Sequence, residues 1–87
     1  MEDNIKKMRA WIEDQATHED VAAKSEGYRR CIPAFTSETA VLDLEQMVLD
    51  AKRQLCLVPA GKSQESTVLC YRILAINRVI QKWRDIQ

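Results

Sequence analysis

The stretch Val68-Leu69-Cys70-Tyr71-Arg72-Ile73-Leu74-Ala75-Ile76-Asn77-Arg78-Val79-Ile80-Gln81-Lys82-Trp83 decides how this chain folds. It contains neither Gly nor Pro. Leu69, Ile73, Ile76, Ile80 and Trp83 recur at steps of three and four, the spacing that puts side chains on one ridge of an α-helix. Val68, Ala75, Val79 and Ile86 form a second ridge beside the first. At ~100° per residue the two ridges span roughly 160° of the helix surface, more than a helix needs when it lies on a core by one side only. The pattern predicts a long helix over Ser63–Gln87, central to the fold and packed by at least two neighbours.

Working back from it, Val58-Pro59-Ala60-Gly61-Lys62-Ser63 is a break, with Pro59 and Gly61 as its punctuation. Ser63 or Ser66 is placed to cap the helix that follows, and Glu65 falls in its first turn. Before the break, Val41, Leu44, Val48, Ala51 and Leu55 alternate at three and four residues, widened by Ala40 and Met47. This predicts a helix from Glu38 to Leu57, begun by a Thr36 or Ser37 cap with Glu38 in the first turn. So short a connection makes the two long helices antiparallel neighbours. The same helix carries a second, narrower line, Leu42, Leu49 and Cys56, spaced by sevens and separated from the core face by Glu45 and Lys52.

At the N-terminal end, Ile5, Met8, Ile12 and Ala16 line a helix over Asn4–Ala16, with Trp11 on its flank and Asp3 or Asn4 as its cap. Thr17 followed by Asp20 reads as a capping pair for a short second helix, His18 to Ser25, closed by Gly27 in the left-handed conformation; the alternative is one continuous helix kinked through Thr17. Tyr28 to Thr36 is then a connector. Pro33 should push Ile32 out of the helical region, and Ile32 and Phe35 should anchor the connector on the core. The expected architecture is all-α: one domain over residues 1–87, a compact four-helix bundle with two long antiparallel C-terminal helices, or five helices if the connector winds.

Size and charge narrow the function classes. Eighty-seven residues make one domain. Thirteen basic residues balance thirteen acidic ones, so no whole-molecule field draws the chain to nucleic acid or an anionic membrane. No apolar run reaches the ~18 residues of a membrane span, and the N-terminus lacks a signal-peptide pattern. Three cysteines at wide spacing, Cys31, Cys56 and Cys70, are not a disulfide framework. They read as reduced thiols of an intracellular protein, cytoplasmic or nuclear, with Cys56 and Cys70 packed as small hydrophobes. One histidine, His18, is too few for a usual zinc site, so neither metal nor cofactor is expected.

No catalytic constellation can be drawn. Carboxylates are spread along polar helix faces, His18 sits at a helix start, and no nucleophile has a base beside it. Ala60-Gly61-Lys62-Ser63 matches the end of a phosphate-binding loop, but the glycine required five residues before Gly61 is Cys56, and no strand precedes it. Lys62 beside the free amides of a helix start could still hold a single anion. Apolar residues beyond the needs of one core are more informative. Trp11, Leu42, Leu49, Cys56, Tyr71 and Leu74 are in surplus, and Arg72 interrupts the apolar arc of the last helix, where a stem in the core with its head paired to a carboxylate competes with a place at a protein contact. These point to a non-catalytic module that docks another protein or a second copy of itself and takes no small-molecule substrate. The rival expectation is a nucleic-acid or acidic-membrane binder acting through Arg29, Arg30, Lys52, Arg53, Arg78 and Lys82, with Tyr28 as an adjoining aromatic.

Overall fold

The computed structural model describes residues 2–37 and 39–87, and of Glu2 only the backbone. Among the described residues there are four α-helices: α1 (Glu2–His18), α2 (Ala22–Cys31), α3 (Ala40–Leu57) and α4 (Ser63–Ile86), with a single 3₁₀ turn, Ile32–Ala34, between α2 and α3. The bundle measures 45 × 26 × 19 Å. No helix is long and apolar enough to cross a membrane among the described residues.

α4 is the axis of the bundle, as its two ridges predict. It packs most extensively on α2, nearly as much on α3, and more lightly on α1. Leu69, Ala75, Ile76, Val79, Ile80 and Trp83 are buried, while Val68, Ile73 and Ile86 are half-buried at the margins. α3 buries Ala40, Leu44, Val48 and Ala51 against it. The antiparallel arrangement is recorded by an ion pair between Glu45, early in α3, and Arg84, late in α4, at 3.5 Å. α1 contributes Met8, Ile12 and Ala16 to the core and lies mainly on α2. At the bend between α3 and α4, Gly61 takes φ 95°, a conformation that glycine adopts without steric cost.

The second helix is where the structure departs from the sequence reading. The break after α1 lies at Glu19–Val21, not at Thr17. The Thr17 hydroxyl donates back to the Glu13 carbonyl at 2.8 Å and stays within α1, so the Thr17–Asp20 capping pair does not form. Instead the Glu19 carboxylate accepts the Val21 amide at 3.2 Å and pairs with Lys24 at 3.5 Å. The Ser25 hydroxyl, by donating to the Ala16 carbonyl at 2.7 Å, ties α2 to the end of α1.

Gly27 does not terminate α2 but lies inside it, buried against α4. A Cβ built there would stand 3.0 Å from the Ala75 Cβ and 3.1 Å from the Arg72 Cα. The glycine is there so that two helix backbones can touch. α2 therefore continues through Tyr28 and Cys31, both fully buried, and the expected connector shrinks to the 3₁₀ turn and the residues after it. Ile32 stays in the right-handed helical region (φ −57°, ψ −48°) despite Pro33, because the proline occupies the first turn of the 3₁₀ segment, where its missing N–H is no loss. Phe35 anchors this segment as expected. It is wholly buried, with its ring 5.5 Å from that of Trp83, while Ile32 is only half-buried.

The helix starts differ from expectation too. No side-chain hydrogen bond caps α3 or α4: Thr39 and Lys62 occupy the cap positions, and the Ser37 hydroxyl is turned to Thr39, whose hydroxyl lies 2.8 Å away. Asp3 and Asn4 lie within α1 rather than ahead of it. The first-turn role expected of Glu38 lies outside the described residues.

The cysteines also exchange roles. Cys31 is buried and donates weakly to the Gly27 carbonyl at 3.4 Å, and burial pushes its thiol up to about 12. Cys56 and Cys70 are exposed rather than packed. A thiolate-directed reagent such as iodoacetamide should thus modify two sites per folded chain, at Cys56 and Cys70, and reach Cys31 only on unfolding. Rapid modification of all three in the native protein, read by intact mass, would contradict this placement.

Candidate functional site

The residues singled out from the sequence do not gather in one place. Leu42, Leu49 and Cys56 lie along the outer side of α3, at 65% and 51% exposure for the two leucines, with Cys56 exposed as well. This face exists because α3 packs almost entirely on α4 and the 3₁₀ turn. With Leu44, Val48 and Ala51 committed inward, a helical period carries positions 42, 49 and 56 to the far side. Leu57, which the sequence reading passed over, is 80% exposed at the end of the same helix. Its position, one residue beyond the spaced line and just ahead of Pro59, was the available clue. Leu74 is 52% exposed on α4, and Tyr71 is half-buried there.

Arg72 belongs to the α2–α4 contact. Its guanidinium pairs with the Glu26 carboxylate at 3.3 Å, and Arg30, one turn on from Glu26, binds the same carboxylate oxygen at 2.8 Å. The Arg72 side chain is mostly buried, with its Nε enclosed and without a hydrogen-bond partner among the described residues. Glu26 is thus the hub of a two-arginine fork, and it was missed because nothing in the sequence joins position 26 to position 72. The Arg30 hydrogen bond and charge, and then the Arg72 charge, hold the Glu26 carboxyl below its ordinary 4.5.

A depressed carboxyl pKa adds stability that is present above pH 4.5 and fades as the pH falls through the folded value. Because Glu26 is half-exposed, that contribution is at most about 1 kcal/mol. Glu26→Gln should accordingly be slightly less stable than the wild type at neutral pH and indistinguishable from it in acid. Urea titrations at the two pH values measure the difference. A gap that persists or widens in acid would rule out the ion pairs as its source.

Trp11 is half-buried at a third place, edge-on to Tyr28 with ring centroids 6.1 Å apart, and covered by the Lys82 ammonium 5.7 Å from its centroid. Around it a shallow cleft is lined by Arg78, Gln81, Lys82 and Asp85. Tyr28 is wholly buried and presents no aromatic face beside Arg29 and Arg30, contrary to the sequence reading. The cations themselves are spread out. Arg78 and Lys82 share the Trp11 cleft with Asp85. Arg30 lines a groove with Asp50 and Arg72. Arg53 lies 4.0 Å from Asp50, and Lys52 and Arg29 are exposed on α3 and α2 respectively.

An open groove of about 690 Å³ lies at the start of α4, lined by Gln54, Lys62, Ser63, Glu65, Leu69 and Arg72 among others. It gathers the Lys62 anion candidate and Arg72, and its lining includes one carboxylate, Glu65, and no His or Cys. Among the described residues no cluster of His, Cys, Asp and Glu is arranged to hold a metal ion.

Fold and surface together define a small all-α bundle whose third helix leaves its outer face uncovered. No protein-family model matches this chain, and neither a curated protein nor a solved structure shows significant similarity to it.

Proposed function

We propose that this chain is a non-catalytic protein–protein interaction module that docks a partner on the outer face of α3. One observation carries the reading. Leu42, Leu49 and Cys56 form an exposed apolar line along a helix that the rest of the bundle touches on one side only. A single exposed leucine is ordinary on any protein surface, but a spaced line on one helix is the arrangement by which one helix receives another. The cations of the rival, anion-binding reading do not converge: Arg30 lines a groove with Asp50, Arg78 and Lys82 line a cleft with Asp85, and Arg29, Lys52 and Arg53 line neither. A partner surface made of protein therefore fits better than a polyphosphate.

The test is a photo-reactive residue placed at position 49 of the full chain and, as control, at Glu13 on the polar side of α1. Irradiation in cells should give discrete protein adducts from position 49 that disappear when Leu42→Glu is added, and none from position 13. Equal labelling from both positions would count against a docking face. Binding of RNA, duplex DNA or acidic vesicles at ~50 mM salt would favour the anion surface instead.

A further inference from the structure

We infer that the partner of the α3 face is a second copy of this chain, with the two α3 helices packed antiparallel and Leu49 on the two-fold axis. The inference rests on the docking role proposed for this face and supplies its occupant. In an isologous contact between antiparallel helices, a residue k positions before the axis meets the residue k positions after it on the partner. About Leu49 the exposed residues on the Leu49 side of α3 obey this rule in chemistry as well as position. Leu42 and Cys56 lie seven residues to either side and bring apolar against apolar. Glu45 and Arg53 lie four to either side, and bring carboxylate against guanidinium twice, once at each end of the contact. Gln46 and Lys52 lie three to either side, a carboxamide oxygen against an ammonium. The parallel alternative sets Glu45 against Glu45 and Arg53 against Arg53, so charge selects the antiparallel register. A partner of unrelated sequence would place no such mirror condition on this helix.

Existing contacts do not bar the arrangement. Glu45 is held by Arg84 at 3.5 Å and Arg53 by Asp50 at 4.0 Å, but each of these side chains is about half exposed or more. Pairs of that kind are weak and can be shared or exchanged. The chain carries no net charge that would oppose a second copy. From Leu42 to Cys56 the contact is ~21 Å long at 1.5 Å per residue. That is at the small end of specific interfaces, so the dimer is expected to be a weak, reversible one.

Cysteine chemistry on the full chain tests geometry and occupancy together. In a Cys70→Ser background, a short bis-maleimide should link Leu42→Cys on one chain to Cys56 on the other, giving a covalent dimer. Cys56 alone should give none, because the two Cys56 thiols stand ~21 Å apart along the antiparallel axis. Efficient Cys56–Cys56 linkage without the 42–56 product would overturn the antiparallel register. Sedimentation equilibrium should show dimer formation that Glu45→Arg weakens about tenfold, and that Glu45→Arg with Arg53→Glu restores, since the swap returns opposite charges to each other. This rescue keeps the test decisive even where Glu45→Arg alone destabilises the chain. A wild-type chain still monomeric at ~1 mM overturns the dimer. If position 49 then still captures another protein in cells, the docking role stands without it; if it captures none, both fall.

Discussion

Gly27→Val should destabilise the fold by about 3 kcal/mol, and Gly27→Ala by about 1 kcal/mol. Alanine has two opposing effects. A helix-interior glycine costs roughly 0.5–1 kcal/mol relative to alanine, so the substitution gains that much in propensity. Against this, the new Cβ would lie 3.0 Å from the Ala75 Cβ and 3.1 Å from the Arg72 Cα. The first neighbour is a methyl group with no rotamer to change, and the second is backbone, so α2 and α4 must move apart. Overpacking of this kind typically costs about 1–3 kcal/mol, which outweighs the propensity gain. Valine adds two methyl groups aimed into the same contact and reaches the upper end.

Urea denaturation gives the numbers, and a second substitution tests the cause. In a Gly27→Ala background, Glu26→Gln should cost less than in the wild type, because separating the helices already weakens the Glu26–Arg72 pair. Ala75→Gly should recover only part of the loss, since the Arg72 backbone remains in the way. A Gly27→Ala protein more stable than the wild type would mean that α2 can withdraw at no cost, and that the close approach is incidental.

The same glycine shows where sequence reading works and where it stops. α3 and α4 were legible almost to the residue, because a long run with one unbroken period leaves a single way to sort inside from outside. Leu44, Val48, Ala75 and Val79 are buried where the period puts them, and Leu42 and Leu49 are exposed for the same reason. α2 was not legible. A glycine a few residues into a short helix is equally compatible with a left-handed stop and with a tight helix crossing, and only the neighbour across the contact separates the two. A clue existed: Tyr28, Cys31 and Phe35 continue at steps of three and four beyond Gly27, a periodicity that a connector would not keep. The line on α3 was recognisable as surplus from the sequence. That this side is left bare, with α3 resting on little besides α4 and the 3₁₀ turn, required the structure.

Phe35→Ala is expected to cost about 3–5 kcal/mol, the usual range for truncating a buried phenylalanine. Phe35 is wholly enclosed, and its ring meets Trp83 near the C-terminal end of α4. Its removal leaves a cavity between the segment that leads into α3 and the helix on which α3 rests. At roughly 0.05–0.15 kcal/mol per residue, a domain of this length has about 4–13 kcal/mol in total, so the variant sits close to the unfolding threshold. The loss should also be uneven. α3 is held mainly by α4 and the 3₁₀ turn, so loosening the turn frees the start of α3 first, around Ala40 and Leu44. Phe35→Leu, which keeps most of the volume, should cost about 1 kcal/mol and leave α3 seated. Amide exchange separates these outcomes: in Phe35→Ala, protection should fall earliest in the first turns of α3 while the centre of α4 stays protected. Uniform loss across all four helices would show that Phe35 supports the bundle as a whole and has no special hold on α3. If the docking face depends on α3 being held rigid, Phe35→Ala should also abolish adduct formation from position 49 without changing any residue on that face, and Phe35→Leu should preserve it.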